Sequence, residues 1–178
     1  VVAIVQTVVP MWGAARRDAA LMAIARPAAT LQFVLVAVAF GCLAYSFVTS
    51  DFSVLNVAQH SYSTLPVQYK FAATWGSHEG SLLLWLLMLS GWTLAVATFN
   101  RRLPAEVAAT ALAVLGFVSV GFLLFMLLTS NPFDRLFPVP PDGHDLNPLL
   151  QDPGFITHPP MLYMGYVGFS VAFAFAIA

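Results

Sequence analysis

The side chains able to do chemistry are few, and they cluster. All four histidines, His60, His78, His144 and His158, lie in or beside two stretches that also hold Trp75, Tyr62, Tyr69 and most of the prolines. An imidazole serves as acid, base or metal ligand according to its surroundings. Within Thr157-His158-Pro159-Pro160-Met161-Leu162-Tyr163, the two prolines suit the first turn of a helix, where their missing N–H is not needed. His158 is then expected at or just before a helix N-terminus. The positive end of the helix dipole disfavours imidazolium there and leaves a ring lone pair available. A neutral imidazole is what a haem iron accepts as an axial ligand. The alternative at the same position is an interfacial histidine hydrogen-bonded to a loop carbonyl.

The second cluster is Trp75-Gly76-Ser77-His78-Glu79-Gly80-Ser81. Ser77 can cap a helix and Glu79 can face its positive end. Gly76 and Gly80 allow close approach of another backbone or of a flat ligand. The segment reads either as an interfacial helix start or as a polar patch beside a cofactor. His78-Glu79 lacks the second histidine of a zinc hydrolase, because Leu82 stands at that position. The stretch from Asn131 to Pro160 is a series of turns (Asp142-Gly143, Asn147-Pro148, Asp152-Pro153-Gly154), with the character of a surface lid and with His144 facing solvent. The lone Cys42 forms no intrachain disulfide, and no CxxC is present.

The elements that must carry these residues are dictated by composition. Of the 178 residues, 60% are hydrophobic and 8% charged, where soluble domains hold roughly 25% charged residues. So few charges cannot cover a particle in water. A helix needs roughly 20 apolar residues to cross about 30 Å of hydrocarbon. Residues 27–49, 80–99 and 107–129 meet that length. Residues 1–15 and 161–178 read as spans cut short at the chain ends. The expected fold is all-α: a polytopic transmembrane bundle of about five spans, with long loops over about 50–79 and 130–160.

Arg16, Arg17, Arg26, Arg101 and Arg102 fall in the two short connections, leaving Lys70 and Arg135 for the long ones. Basic residues stay on the cytoplasmic side, so the long acidic loops are expected on the outer face of the membrane. Loops of about thirty residues greatly exceed the usual 4–6 and tend to carry function. Net charge is near zero and no basic stripe exists, so no nucleic-acid partner is expected.

Three runs, read as text, resemble the CcmF family, the membrane haem lyase subunits of bacterial cytochrome c maturation. They are Trp75-Gly-Ser-His-Glu-Gly-Ser-Leu-Leu-Leu-Trp85, Asp145-Leu-Asn-Pro-Leu-Leu-Gln-Asp-Pro-Gly154, and the run from His158-Pro-Pro-Met-Leu-Tyr-Met-Gly-Tyr to Phe175. Shorter matches at Thr49–Val54 and Thr129–Phe133 extend the resemblance over essentially the whole chain, as the N-terminal part of such a protein. The resemblance implies a component that takes haem from a CcmE-type chaperone. Together with a CcmH-type subunit, it promotes thioether formation between the haem vinyl groups and the CxxCH cysteines of apocytochrome c. His158 matches an outer-face histidine that ligates the incoming haem iron, with Trp75, His78 and Asp152 as supporting haem-binding residues.

The resemblance also implies a permanent haem b. The span interiors contain no histidine, so its ligands are expected beyond Ala178. The Trp-rich haem segment and the second outer histidine are expected there as well, in the rest of the CcmF chain, so this segment alone should be inactive. Two rival readings are a membrane haem transporter and a non-catalytic scaffold for assembly partners. The span interiors carry no ionisable residues of the kind that mark transport pathways.

Overall fold

A computed structural model of the chain describes residues 1–99, 102–144 and 146–178. Its helices are α1 (Val2–Arg16), α2 (Ala19–Ala23), α3 (Ala25–Val48), α4 (Leu55–His60), α5 (Val67–Ala73), α6 (His78–Phe99), α7 (Ala105–Thr129) and α8 (Pro153–Ile177), with one 3-10 turn at Pro148–Gln151. The fold is all-helical, and the described residues contain one antiparallel bridge, Val54 to Arg135. Four helical stretches are long and apolar enough to cross a membrane: Ala19–Val48, His78–Phe99, Ala105–Thr129 and Ile156–Ile177. This is a multi-pass membrane chain.

The expected fifth crossing, residues 1–15, is helical as α1. Its 15 residues reach about 22 Å at 1.5 Å per residue, short of the hydrocarbon thickness. The connection after it is also shorter than expected. Arg17 adopts φ 56° and closes α1, and Asp18 immediately caps α2 by accepting from the amides of Ala20 and Leu21. Arg26, expected in that loop, lies inside α3. Arg101, expected in the second basic loop, lies outside the described residues.

The chain divides into two compact units. One comprises residues 1–37, 85–124 and 163–178; the other comprises 38–84 and 125–162. In the first, α7 is buried from Ala108 to Leu115, apart from Thr110 at the half-exposed edge of that stretch, which makes it the central helix. α1 meets it closely: the Gln6 side-chain amide donates to the Leu112 carbonyl at 2.8 Å. A Cβ on Gly116 would lie 2.9 Å from the Thr7 hydroxyl, the close packing that small residues permit between membrane helices. α8 meets α6 through Trp92, whose indole donates to the Met164 carbonyl at 3.1 Å and packs on Gly168. Gly168 thus serves helix packing, as its type suggests, whereas Gly165 has open space around it. Trp85 adds ring contacts with Phe122 and Tyr163, at centroid distances of 5.8 and 5.1 Å.

The second unit is built from the two long loops and the helix ends that carry them. Ser50 at φ 55° terminates α3, and Asp51 then accepts from the backbone and hydroxyl of Ser53. Backbone bonds from Leu55 to the Asp134 carbonyl and from Leu136 to the Ser53 carbonyl stitch one loop to the other. Lys70 is buried, and its ammonium donates to the Ser50 hydroxyl at 2.7 Å and the Ser63 carbonyl at 2.9 Å. Asp142 receives the Ser63 amide and hydroxyl. Gly143 lies so close that a Cβ would fall 2.0 Å from the Ser61 carbonyl oxygen. Both loops are therefore folded against each other.

Candidate functional site

The candidate residues all belong to the second unit. Trp75 follows α5, in a turn closed by bonds from the amides of Thr74, Trp75 and Gly76 to the carbonyls three residues back. Ser77 caps α6 as its residue type implies, accepting the Gly80 amide at 3.0 Å. Gly80 is required by backbone: a Cβ there would lie 1.8 Å from the Thr74 carbonyl oxygen. Of the two partners its sequence context allowed, a neighbouring backbone or a flat ligand, the backbone occupies this side. Glu79 stands in the first turn of α6.

The start of α8 differs from expectation. Pro159 and Pro160 lie inside the helix, not in its first turn. The reason is local: Asp152 accepts the Gly154 amide at 2.7 Å as a cap, and Pro153 takes the first helical position, the one proline suits best. His158 is thus the sixth helical residue. The dipole effect is confined to the first turn, so that argument for a ring lone pair loses its geometric basis. Asp152, expected in a haem-binding lid, is a helix cap.

Two prolines within a helix have a cost that the structure meets on one side. Pro160 has no N–H to give the Ile156 carbonyl, four residues back. The Trp75 indole supplies it instead, at 3.1 Å. The carbonyl two residues before His158 is therefore held by a side chain from 81 positions away. Phe71 braces the indole edge-on at a centroid distance of 5.3 Å. His158 itself is exposed, and so are Met161 and Leu162 one turn further on. That face offers an imidazole bordered by apolar side chains, a chemistry that suits the face of a porphyrin. Among the described residues no group of three or more His, Cys, Asp or Glu gathers into a metal site.

His78 belongs to a different neighbourhood. Its Nδ1 lies 3.3 Å from the Ser130 hydroxyl, and its ring meets Phe125 edge-on at 6.3 Å. His144 is exposed, with its amide donating to the Ala58 carbonyl at 2.7 Å. His60 Nδ1 lies 2.9 Å from the Asn56 carbonyl oxygen. The structure therefore joins Trp75 to the Asp152–His158 stretch and leaves His78 against the end of α7. Asp145, at the head of the turn-rich motif, lies outside the described residues. Sequence reasoning passed over the Ile156 carbonyl, although a proline at position i always removes the donor for the carbonyl at i−4.

Two loop carboxylates are electrostatically tuned. The Ser63 hydroxyl, then the amides of Ser63 and Gly143, hold the Asp142 carboxyl below the usual carboxylate range, with Lys70 adding attraction. Asp51 is lowered chiefly by the Ser53 hydroxyl, against an opposing effect of burial, with the Ser53 amide and Arg135 assisting. Both are structural latches of the loops.

Residues 75–178, more than half the chain, match the family model described as Cytochrome C assembly protein. The chain is 62% identical over 177 residues to the cytochrome c-type biogenesis protein CcmF of Pseudomonas fluorescens, covering 99% of this chain and 27% of that protein. It is 61% identical over 178 residues to CcmF of Escherichia coli K12, covering 99% and 28%. It is 48% identical over 170 residues to NrfE of Haemophilus influenzae, covering 96% and 27%. The chain thus spans about a quarter of the length of these relatives. A solved structure titled Cytochrome c Heme Lyase CcmF superposes with a TM-score of 0.81 at 24% identity, over 99% of this chain and 27% of that one, which shows a shared fold. With its tryptophan-pinned helix start lying inside the matched region, the chain belongs to the cytochrome c assembly protein family.

Proposed function

We propose that this chain acts within a CcmF-type haem lyase, presenting substrate haem for covalent attachment to apocytochrome c at the periplasmic face of the bacterial inner membrane. The observation that carries the reading is the exposed His158 on a helical stretch fixed from three sides. Asp152 caps its start, the proline pair removes backbone freedom, and Trp75 holds the Ile156 carbonyl. A ligand so mounted loses little entropy when it binds, which is how a protein orients a cofactor-like substrate.

In this reading the His158 imidazole is an axial ligand of haem delivered by a CcmE-type chaperone. Met161 and Leu162 lie against the porphyrin, and the turns preceding Gly154 cover its edge. The thiols of a CxxCH segment, held by a CcmH-type subunit, add across the vinyl groups: each S–H is consumed and each C=C becomes a C–C bond bearing a thioether. The addition itself is redox-neutral and needs no net oxidant or reductant. Trp75 positions the ligand and does not react.

The test is His158→Ala in the full-length protein copurified with its haem chaperone. The reading expects haem content and Soret absorbance to fall by the share held at His158, with haem bound elsewhere in the longer protein retained, and holocytochrome yield to be lost, with thermal unfolding unchanged. Wild-type haem content and yield would refute it.

A further inference from the structure

Away from the histidines, α6 and α8 enclose a groove of about 480 Å³ lined by Trp92, Phe99, Val171, Phe175, Leu103 and Arg102. It shares Trp92 and Ala95 with a second hollow of about 490 Å³, bordered by Phe33, Met88 and Met164. The walls are apolar throughout, except for the Arg102 guanidinium at one end. Arg102 is exposed. Arg17 and Arg135, in contrast, pair with Glu106 and Asp51. Arg102 makes no ion pair among the described residues.

From these features we infer a binding site for one anionic glycerophospholipid, with its phosphate on Arg102 and one acyl chain along the groove. The dimensions agree. Met88 and Phe99 are 11 residues apart on α6, about 16 Å at 1.5 Å per residue. One leaflet contributes about half of a 30 Å hydrocarbon core. The groove therefore accepts a chain of one leaflet's depth and ends where the headgroup begins. Basic pockets between membrane helices on the positively charged side have the chemistry to hold anionic headgroups. The sequence places Arg101 next to Arg102, so the local charge has the right sign. Trp92, fixed by its bond to the Met164 carbonyl, gives the groove a rigid wall. The site is independent of the haem reading.

The experiment uses the full-length protein in nanodiscs of dioleoyl-phosphatidylcholine containing a minor fraction of phosphatidylglycerol, followed by native mass spectrometry of retained lipid. The inference expects phosphatidylglycerol enriched about fivefold over its bulk fraction, the ratio that one arginine near a lipid surface provides. Arg102→Gln should bring the ratio to about one, and Arg102→Lys should keep most of it. Ala95→Trp, which fills the groove, should reduce retention of both lipids. Equal retention of the two lipids in the wild type overturns the inference, as does enrichment that survives Arg102→Gln. No lipid retained at all would show that another part of the longer protein covers the groove, and that also overturns it.

Discussion

Two indoles donate to carbonyls of α8, one in each unit, and the difference between them is instructive. Trp92 bonds the Met164 carbonyl, which by helix register already receives the Gly168 amide; the indole uses its second lone pair. Trp75 bonds the Ile156 carbonyl, which has lost its helical donor to Pro160. The same bond is supplementary in one unit and a replacement in the other. Three glycines divide likewise. Gly168 faces a ring at ordinary van der Waals distance, whereas Gly80 and Gly143 face backbone oxygens at distances no Cβ tolerates. The spanning unit has tight glycines of its own at Gly13 and Gly116, but at the Trp92 contact its packing can adjust. At Gly80 and Gly143 the loop unit has backbone contacts that cannot.

The largest effect that would expose this difference comes from Gly80→Ala. The conflict is with the Thr74 carbonyl, so the α5–α6 turn must move, at a cost of about 3 kcal/mol or more. Gly168→Ala should change stability by less than about 1 kcal/mol, because helix propensity gained offsets the tighter contact. Thermal unfolding of the full-length protein in detergent measures both, and equal costs would erase the distinction.

Next come the indoles. Trp75→Phe should cost about 1–3 kcal/mol, since it leaves a part-buried carbonyl without a donor. Trp92→Phe should cost about 0.5–1 kcal/mol, the net value of one bond. Pro160→Ala sharpens the point by returning an N–H to Ile156. In that background the cost of Trp75→Phe should fall by more than half, and an undiminished cost would show that Trp75 acts by ring packing alone.

Much of the fold was legible because lipid imposes it. Residues 27–49, 80–99 and 107–129 were readable as spans, and α3, α6 and α7 occupy nearly those positions. The ends were less legible, because helices start where a cap lies, not where apolar residues begin. Ser77 starts α6 two residues before the apolar run, and Asp152 starts α8 eight residues before residue 161. The proline pair misled for a physical reason: placing it in a first turn assumes no donor from elsewhere in the chain, and Trp75 provides one. In the candidate site, the residue types were readable and their partners were not. Neither the Ser130 hydroxyl beside His78 nor the capping role of Asp152 follows from local spacing.

The smallest predicted effect concerns acid. Asp142 is held below the ordinary carboxylate value of about 3.9, mainly by the Ser63 hydroxyl. A lowered folded value means that its contribution to stability is complete above the ordinary value and is lost as pH falls through the folded one. Ser63→Ala should therefore destabilise slightly at neutral pH, and the difference from wild type should vanish in acid. A difference that persists in acid strong enough to protonate Asp142 would assign the effect to the lost Ser63 packing instead.

The central claim is that the imidazole of His158, mounted on a pinned helix, binds iron. Its most direct measurement is the visible spectrum of the full-length protein carrying His158→Gly, purified with and without added imidazole. The account predicts that Soret absorbance falls on substitution by the share of the haem held at His158 and is restored with imidazole, as the free ligand takes the vacated position. An unchanged Soret band in the variant without imidazole would contradict it.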